Sequence, residues 1–181
     1  MGEHSEDWIS GKFILSILEE FGEHIDWIWE IFKRNHIPVI EKNKNYSIPF
    51  CLQLIDLLKE HSGPNTIFKL GYETAKIYKI PMEYNQFKTP HEIFPFFNLA
   101  YTLNVQSDSN PNYYHYEVIN TKTGLFRSHT PFHCEFEKGF IYGILNLYFA
   151  IDYQNHSIEH SPQLACRNFG NLYCNYLISW N

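Results

Sequence analysis

Three of the four cysteines lie in the last third of the chain, where their sulfurs could bind a metal ion. Cys166 and Cys174 are eight residues apart with Gly170 midway, and Cys134 precedes a segment of helical periodicity. Residues placed evenly about a tight hairpin turn lie opposite each other, so we expect the Cys166 and Cys174 thiols to face one point. Three sulfurs and one further donor make a tetrahedral zinc site. A shared zinc site is therefore one interpretation of these cysteines.

The other interpretation is that the cysteines are small buried hydrophobic residues, as free cysteines often are. Their spacing is looser than the paired Cys-x-x-Cys motifs of common zinc modules, which favours this second interpretation when spacing is considered alone. Cys134 would begin a helix, where the positive end of the dipole lowers the pKa of a thiol and favours the thiolate. If a metal binds, the fourth donor is one of four residues: Gln163, Glu159, His160 or His133.

Helical patterns occupy the first half of the chain, and glycine or proline residues separate them. Ser47 is a typical N-cap with Pro49 in the first turn of its helix, and Thr89 with Pro90 forms a similar start. Pro95 is either tolerated near the start of that last helix or splits it in two. The predicted helices cover residues 12–21, 25–34, 47 to the turn at 62–65, 66–78 and 89 onward.

The pattern changes after Ala100 to alternation of period two, which is typical of strands. The predicted strands are 113–119, 125–130, 153–160 and 172–180, with a helix over 135–150 between the second and third. Helices followed by strands indicate an α+β fold, in which the N-terminal helices pack on an antiparallel sheet with a crossing helix. We expect an N-terminal helical region over 1–62 and a ligand-binding region over 63–181, joined as one continuous domain.

Composition and motifs exclude several function classes. The chain has 181 residues and a formal net charge of −6, which argues against a dedicated nucleic-acid binder. It has no run of 18 apolar residues and no basic, apolar leader, so we expect a cytoplasmic protein without a membrane span. No nucleophile elbow, P-loop or dinucleotide motif is present, so we expect no catalysis. Glu135 and Glu137 beside Lys138 indicate a solvent-exposed helix face.

The last third of the chain resembles the 4-vinyl reductase-type domain. The resemblance rests on a cysteine before a helix with spaced glycines, two cysteines about a glycine turn, and a strand that closes on tryptophan. These features are Cys134, Gly139, Gly143, Cys166, Gly170, Cys174 and Trp180. That family is a bacterial small-molecule-binding module in the same superfamily as the heme NO-binding domain and the TRAPP vesicle-tethering subunits.

The resemblance implies a metal site whose fourth ligand is altered here. In metal-binding members of the family the ligands are the three cysteines and a carboxylate three residues before the middle cysteine. This position is Gln163, and an amide is a poorer zinc ligand than a carboxylate. The resemblance therefore implies either a zinc site completed by His160, Glu159 or water, or a site without metal.

The resemblance also implies a ligand cavity between the helices and the sheet, with a sensory or regulatory function. Its expected walls are aromatic: Phe94, Phe97, Tyr101, Tyr114, Tyr116, Phe126 and Phe132. Such a pocket suits a small hydrophobic or aromatic molecule. Binding would be signalled to a separate protein or to a second copy of the chain. We expect a homodimer surface on the segments 13–21 and 25–32, which carry Trp27 and Trp29.

Two other functions stay open. In a heme-based gas sensor, His91 would be the axial ligand, although the Tyr-x-Ser-x-Arg motif of the heme NO-binding family is absent around Tyr114. A TRAPP-like adaptor would have a closed or lipid-filled cavity and no sensory ligand.

Overall fold

The computed structural model describes residues 7–19, 25–78, 87–106, 113–149, 156–160, 166–167 and 170–181. The helices are α1 (Gly11–Glu19), α2 (Ile25–Arg34), α3 (Ile48–Ser62), α4 (Pro64–Ile77), α5 (Pro90–Ile93), α6 (Phe97–Asn104) and α7 (Cys134–Phe149), with a 3-10 helix over Phe94–Phe96. The strands are β1 (Trp8–Ser10), β2 (Asn45–Ser47), β3 (Val105–Gln106), β4 (Tyr114–Asn120), β5 (Thr123–Ser128), β6 (His156–His160) and β7 (Cys174–Trp180). The α+β fold class predicted from the sequence is confirmed.

Local sequence signals account for the helix boundaries. Ser47 caps α3 by accepting a hydrogen bond from the backbone N–H of Phe50. Gly63, with a φ of 80°, is the single residue between α3 and α4, because glycine adopts this left-handed conformation without a steric penalty. Pro95 falls within the 3-10 helix, so the fifth predicted helix is divided into α5 and α6.

A small sheet of short strands joins the N-terminal segment to the middle of the chain. Its order is β2-β1-β3, and Ile9 of β1 pairs with Tyr46 on one side and Val105 on the other. The sequence analysis did not predict this sheet, because strands of two or three residues are too short for a period-two pattern. The sheet therefore brings together the start of α1, the start of α3 and the end of α6.

The larger sheet is antiparallel, with the order β4-β5-β7-β6. The predicted return strand thus pairs with the last strand, and Ser128 lies opposite Cys174. The predicted hairpin around Gly170 is wrong in one respect: Cys166 lies outside a strand, and β6 pairs with β7 through His160 opposite Tyr176. The turn at Gly170 has a φ of 83° and belongs to a longer connection.

Helices α4 and α7 cross with their backbones in direct contact. A Cβ atom on Gly139 of α7 would lie inside van der Waals distance of the Phe68 carbonyl oxygen of α4. A Cβ atom on Gly71 of α4 would collide in the same way with the Phe136 carbonyl oxygen. Glycine is required at both positions because any larger residue would separate the helices.

One hydrophobic cluster contains buried residues from both 1–62 and 63–181. The proposed dimer surface contributes to this cluster, because Ile14, Ile17 and Ile28 are buried within it. Trp27 is 40% exposed, whereas Trp29 is half-buried with its ring edge against Phe32. Dimerisation stays a prediction. None of the described helices has both the length and the apolar character needed to span a bilayer.

Candidate functional site

Cys134, Cys166 and Cys174 converge on one buried point at the start of α7. Their Sγ atoms are separated by 2.9 Å (Cys134 to Cys174), 3.3 Å (Cys134 to Cys166) and 3.4 Å (Cys166 to Cys174). Cys134 is the first residue of α7 and Cys174 is the first residue of β7, while Cys166 lies in the connection before Gly170. All three thiols are free and buried.

His160, the last residue of β6, completes a set of four donors. Its nearest ring nitrogen and the three sulfurs lie within 4.8 Å of one another. The Nε2 atom of His160 is buried and makes no hydrogen bond of ordinary geometry within the described ranges. Three cysteines and one histidine are a common ligand set of structural zinc sites, so these residues fit the ion.

The other candidate fourth donors are placed as follows. Glu159 points to solvent and lies opposite Leu177 in the sheet. His133 is half-buried, and its Nε2 donates to Asp56 Oδ1 at 2.8 Å. Gln163 lies outside the described residues. Within the described ranges, only His160 lies with the cysteines in one group of donors.

The protonation of the cysteine cluster differs from the sequence expectation. The pKa of the Cys134 thiol is raised, because it donates its proton to Cys174 and is removed from water. The pKa of Cys174 is lowered by the hydrogen bond from Cys134 and by the nearby charge of Arg167. Without a metal ion, burial and the two neighbouring sulfurs thus act on Cys134 against the influence of the helix start.

A buried ion pair supports the cluster from the side of α7. Arg167 donates through Nε to Cys174 Sγ at 3.3 Å and through a second nitrogen to Glu137 Oε2 at 2.8 Å. Glu137 also accepts hydrogen bonds from the hydroxyls of Ser128, Thr130 and Tyr176. Burial raises the pKa of Glu137, while Arg167 and the hydroxyl donors oppose the rise. Arg167 thus connects the sulfurs to the crossing helix.

The prediction that Glu137 lies on a solvent-exposed face is wrong, because this residue is only 2% exposed. The sequence contained a signal for its placement: Glu137 is three residues after Cys134, and side chains three apart lie on the same face of a helix. Arg167 directly follows a predicted ligand, but nothing in the sequence shows that its side chain is largely buried.

A cavity of about 70 Å³ lies among the helices on the other face of α7. Helices α1 and α3 contribute to its lining, and so do α4 and α7. The lining comprises Ile9, Phe13, Ile14, Ile17, Leu18, Cys51, Leu54, Ile55, Leu58, Leu70, Thr74, Tyr78, Tyr101, Val105, Tyr114, Phe132, Phe136 and Phe140. None of these described lining residues is charged, and none is a histidine.

The predicted pocket residues divide into two groups. Tyr101, Tyr114 and Phe132 line the cavity. The other four, which the structure does not bring to it, are Phe94, Phe97, Tyr116 and Phe126. These four residues form an aromatic layer that lies between the larger sheet and the segment made of the 3-10 helix and α6. Within this layer Phe94 stacks on Tyr116, with 4.6 Å between the ring centroids. Helices α1 and α3 supply eight of the eighteen lining residues, and six of these eight are aliphatic.

His91 lies away from the cavity, at the edge of the larger sheet. Its Nδ1 atom is 2.7 Å from the Tyr116 hydroxyl, and its Nε2 atom is 2.8 Å from the Asn120 carbonyl oxygen. Its ring also contacts Trp180 with a centroid distance of 4.6 Å. Both ring nitrogens therefore already have protein partners.

Solved structures of H-NOX proteins share this fold. An H-NOX protein from S. oneidensis in the Fe(II)NO ligation state matches with a TM-score of 0.67 and 14% identity, covering 96% of this chain and 99% of that chain. The A71G mutant of an H-NOX protein from K. algicida, in the unliganded Fe(II) state, matches with a TM-score of 0.66 and 14% identity, covering 96% and 97%. No protein-family model and no curated protein matches the chain. The chain therefore has an H-NOX-like fold.

Proposed function

We propose that this chain, with its H-NOX-like fold, is a sensory or regulatory domain that binds a small hydrophobic molecule. The observation that carries the proposal is the cavity, whose walls are almost entirely aliphatic and aromatic. Pockets of this composition bind apolar ligands by removing their surface from water. The resemblance to the 4-vinyl reductase-type domain supports the same ligand class. The response would be passed to a partner protein or to a second copy of the chain.

The wall formed by α1 and α3 is where a ligand would change the structure. Ile14, Ile17 and Leu18 of α1 line the cavity, and the helix has only nine residues. Helices α4 and α7 cannot approach further, because their backbones already touch. We therefore expect ligand binding to change mainly how well ordered α1 and α3 are.

Hydrogen–deuterium exchange with saturating benzene tests this function. We expect slower exchange in α1 and α3 of the wild type, because benzene would pack against both helices. Leu54→Trp fills the cavity and should abolish the change, whereas Leu99→Trp, at a position 50% exposed on α6, should retain it. Equal exchange with and without benzene in the wild type would refute the proposed binding function.

We further propose that the site formed by Cys134, Cys166, Cys174 and His160 holds structural zinc. The ion would join the start of α7, β6, β7 and the connection between the two strands, and a closed site of this kind stabilises a fold. The wild type should contain about one zinc per chain by elemental analysis. Cys174→Ala should remove most of it, while Cys51→Ala, which changes a buried cysteine outside the group, should leave it in place. Equal zinc contents in the two variants would contradict this assignment.

The residues of the cavity do not fit heme. The candidate axial ligands among them are one cysteine and three tyrosines: Cys51, Tyr78, Tyr101 and Tyr114. Burial raises the pKa of Cys51 to about 12, so that its thiolate is disfavoured. Burial likewise raises the pKa of the three tyrosines. No lysine, arginine or histidine among the described lining residues could pair with the heme propionates. These observations favour a hydrophobic ligand over heme in this chain.

A further inference from the structure

Two tyrosine hydroxyls at the cavity are buried without a hydrogen-bond partner among the described residues. They belong to Tyr78, directly after α4, and to Tyr101 on α6. Other buried hydroxyls nearby do have partners: Tyr113 donates to Asp7 Oδ2 at 3.0 Å, and Tyr176 donates to Glu137 Oε2 at 3.1 Å. A buried hydroxyl without a partner loses its bonds to water and gains nothing in return. Two such groups beside one cavity indicate a missing hydrogen-bond partner.

Neither tyrosine ring can turn away easily, because each is held by aromatic packing. The Tyr78 ring lies edge-on to Phe140 with a centroid distance of 4.6 Å. The Tyr101 ring lies 4.3 Å from the ring of Tyr113 and is only 1% exposed. Burial raises the pKa of Tyr101, and the negative charge of Asp7 adds to the rise. Burial likewise raises the pKa of Tyr78. Both rings are therefore held beside the same small cavity, and both hydroxyls are protonated.

Two fixed phenol hydroxyls favour a ligand that carries a hydrogen-bond acceptor. A phenol hydroxyl donates one hydrogen bond, and a carbonyl oxygen has two lone pairs that can receive both donors. A ligand hydroxyl oxygen could also accept from both phenols, but its own hydrogen would then need a further acceptor. The described lining has neither a cation for an anionic ligand nor a carboxylate for a cationic one, and an unpaired buried charge is strongly unfavourable. The ligand is therefore neutral.

The volume restricts the ligand to a single small ring. An apolar protein cavity of roughly 150 Å³ holds one benzene molecule. The cavity of about 70 Å³ is smaller, so its walls must move apart to admit even one ring. A movement of this kind is what the proposed sensory function requires.

We propose that the cavity takes a small neutral cyclic ketone, or a similar apolar molecule with one carbonyl oxygen, and that the Tyr78 and Tyr101 hydroxyls both donate to that oxygen. This inference rests on the proposed function, because it names the ligand class of the same cavity. Thr74 is not part of the recognition, since its hydroxyl donates to the Leu70 carbonyl oxygen of its own helix at 2.7 Å.

The test compares cyclohexanone with methylenecyclohexane, which has nearly the same shape but a CH2 group in place of the oxygen. Binding is followed by NMR titration of the isoleucine methyl signals of the cavity. We expect Tyr101→Phe and Tyr78→Phe each to weaken cyclohexanone binding about tenfold, the effect of losing one hydrogen bond. Neither should weaken methylenecyclohexane binding. Tyr72→Phe is the control, because this hydroxyl donates to Asn146 away from the cavity.

The outcomes separate this inference from the proposed function. If neither compound binds the wild type, both the cavity function and this inference fail. If both compounds bind and the two tyrosine variants affect them equally, only the carbonyl recognition fails. Selective loss of cyclohexanone binding in both variants supports the inference.

The stability of the ligand-free variants gives a second readout. Tyr101→Phe removes a hydroxyl without a partner, so its melting temperature should equal or exceed that of the wild type. Tyr113→Phe breaks the bond to Asp7 and should lower it. If Tyr101→Phe melts as low as Tyr113→Phe, then the Tyr101 hydroxyl is satisfied within the protein and the inference is overturned.

Discussion

Arg167 carries a buried charge that two different groups share. Its guanidinium reaches Cys174 with one nitrogen and Glu137 with another, so the sulfur cluster and the helix α7 are connected through one side chain. Such a pair stabilises the fold only while both members are present, because either charge alone is poorly solvated in the interior. Arginine suits this position, since its planar guanidinium presents several donors in fixed directions.

Glu137→Ala should therefore lower the free energy of unfolding by roughly 3–5 kcal/mol, because Arg167 would be left buried without its carboxylate. The measurement is chemical denaturation of zinc-loaded protein. Glu135→Ala is the matched control on the same helix turn and should cost less than about 1 kcal/mol, the usual value of an acidic residue near a helix start. Equal losses in both variants would show that the ion pair contributes no special stability.

Among individual residues, the sequence predicted those with distinctive chemistry and missed those whose role depends on burial. The three cysteines and His160 were among the candidate metal donors, because few residue types bind zinc, and the structure brings these four together. Glu137 and Tyr78 were not predicted to be buried, because a glutamate beside a lysine and a tyrosine at a helix end are usually exposed. Whether a hydroxyl has a partner depends on the positions of all the surrounding atoms, which no local pattern contains.

Among the elements, the crossing of α4 and α7 is the most constrained. Gly71 and Gly139 allow carbonyl oxygens of one helix to lie where side chains of the other would normally be. A replacement cannot be accommodated by a change of rotamer, because the neighbouring atoms belong to the backbone.

Gly139→Ala should destabilise the protein by about 3 kcal/mol, the upper range for an overpacked core. The direction of this change in stability is informative, because alanine in place of glycine ordinarily stabilises a helix by up to about 1 kcal/mol. Thermal unfolding followed by circular dichroism measures the change. Lys138→Ala on the same helix is the control, and it should stay within about 0.5 kcal/mol of the wild type. A stabilised Gly139→Ala variant would disprove the close crossing.

The longer elements were predictable and the shorter ones were not. Helical periodicity, the Ser47 cap and the prolines placed the helices to within a few residues, because each signal acts over neighbouring positions. The sheet formed by β1, β2 and β3 depends on pairing between residues such as Ile9 and Val105, almost one hundred positions apart. Each of its strands is too short to have a pattern of its own.

For the whole molecule, the fold and the lining of its cavity lead to different expectations about heme. Hemin added to the purified chain should give no stoichiometric Soret band, because the described lining offers no histidine, thiolate or cationic partner. Visible absorption during a hemin titration checks this. A stoichiometric Soret band that disappears in His91→Ala would instead support the gas-sensor alternative.

The glycine contacts between α4 and α7 give the cavity mechanically unequal sides. On one side the backbones of α4 and α7 already touch, and on the other the cavity is lined by side chains of α1 and α3, so we expect the second side to yield more readily. Pressure from a ligand inside the cavity would therefore displace the N-terminal helices and leave the sheet and the sulfur cluster in place. We expect a protein that responds to the ligand to bind at α1 and α3, where displacement is greatest.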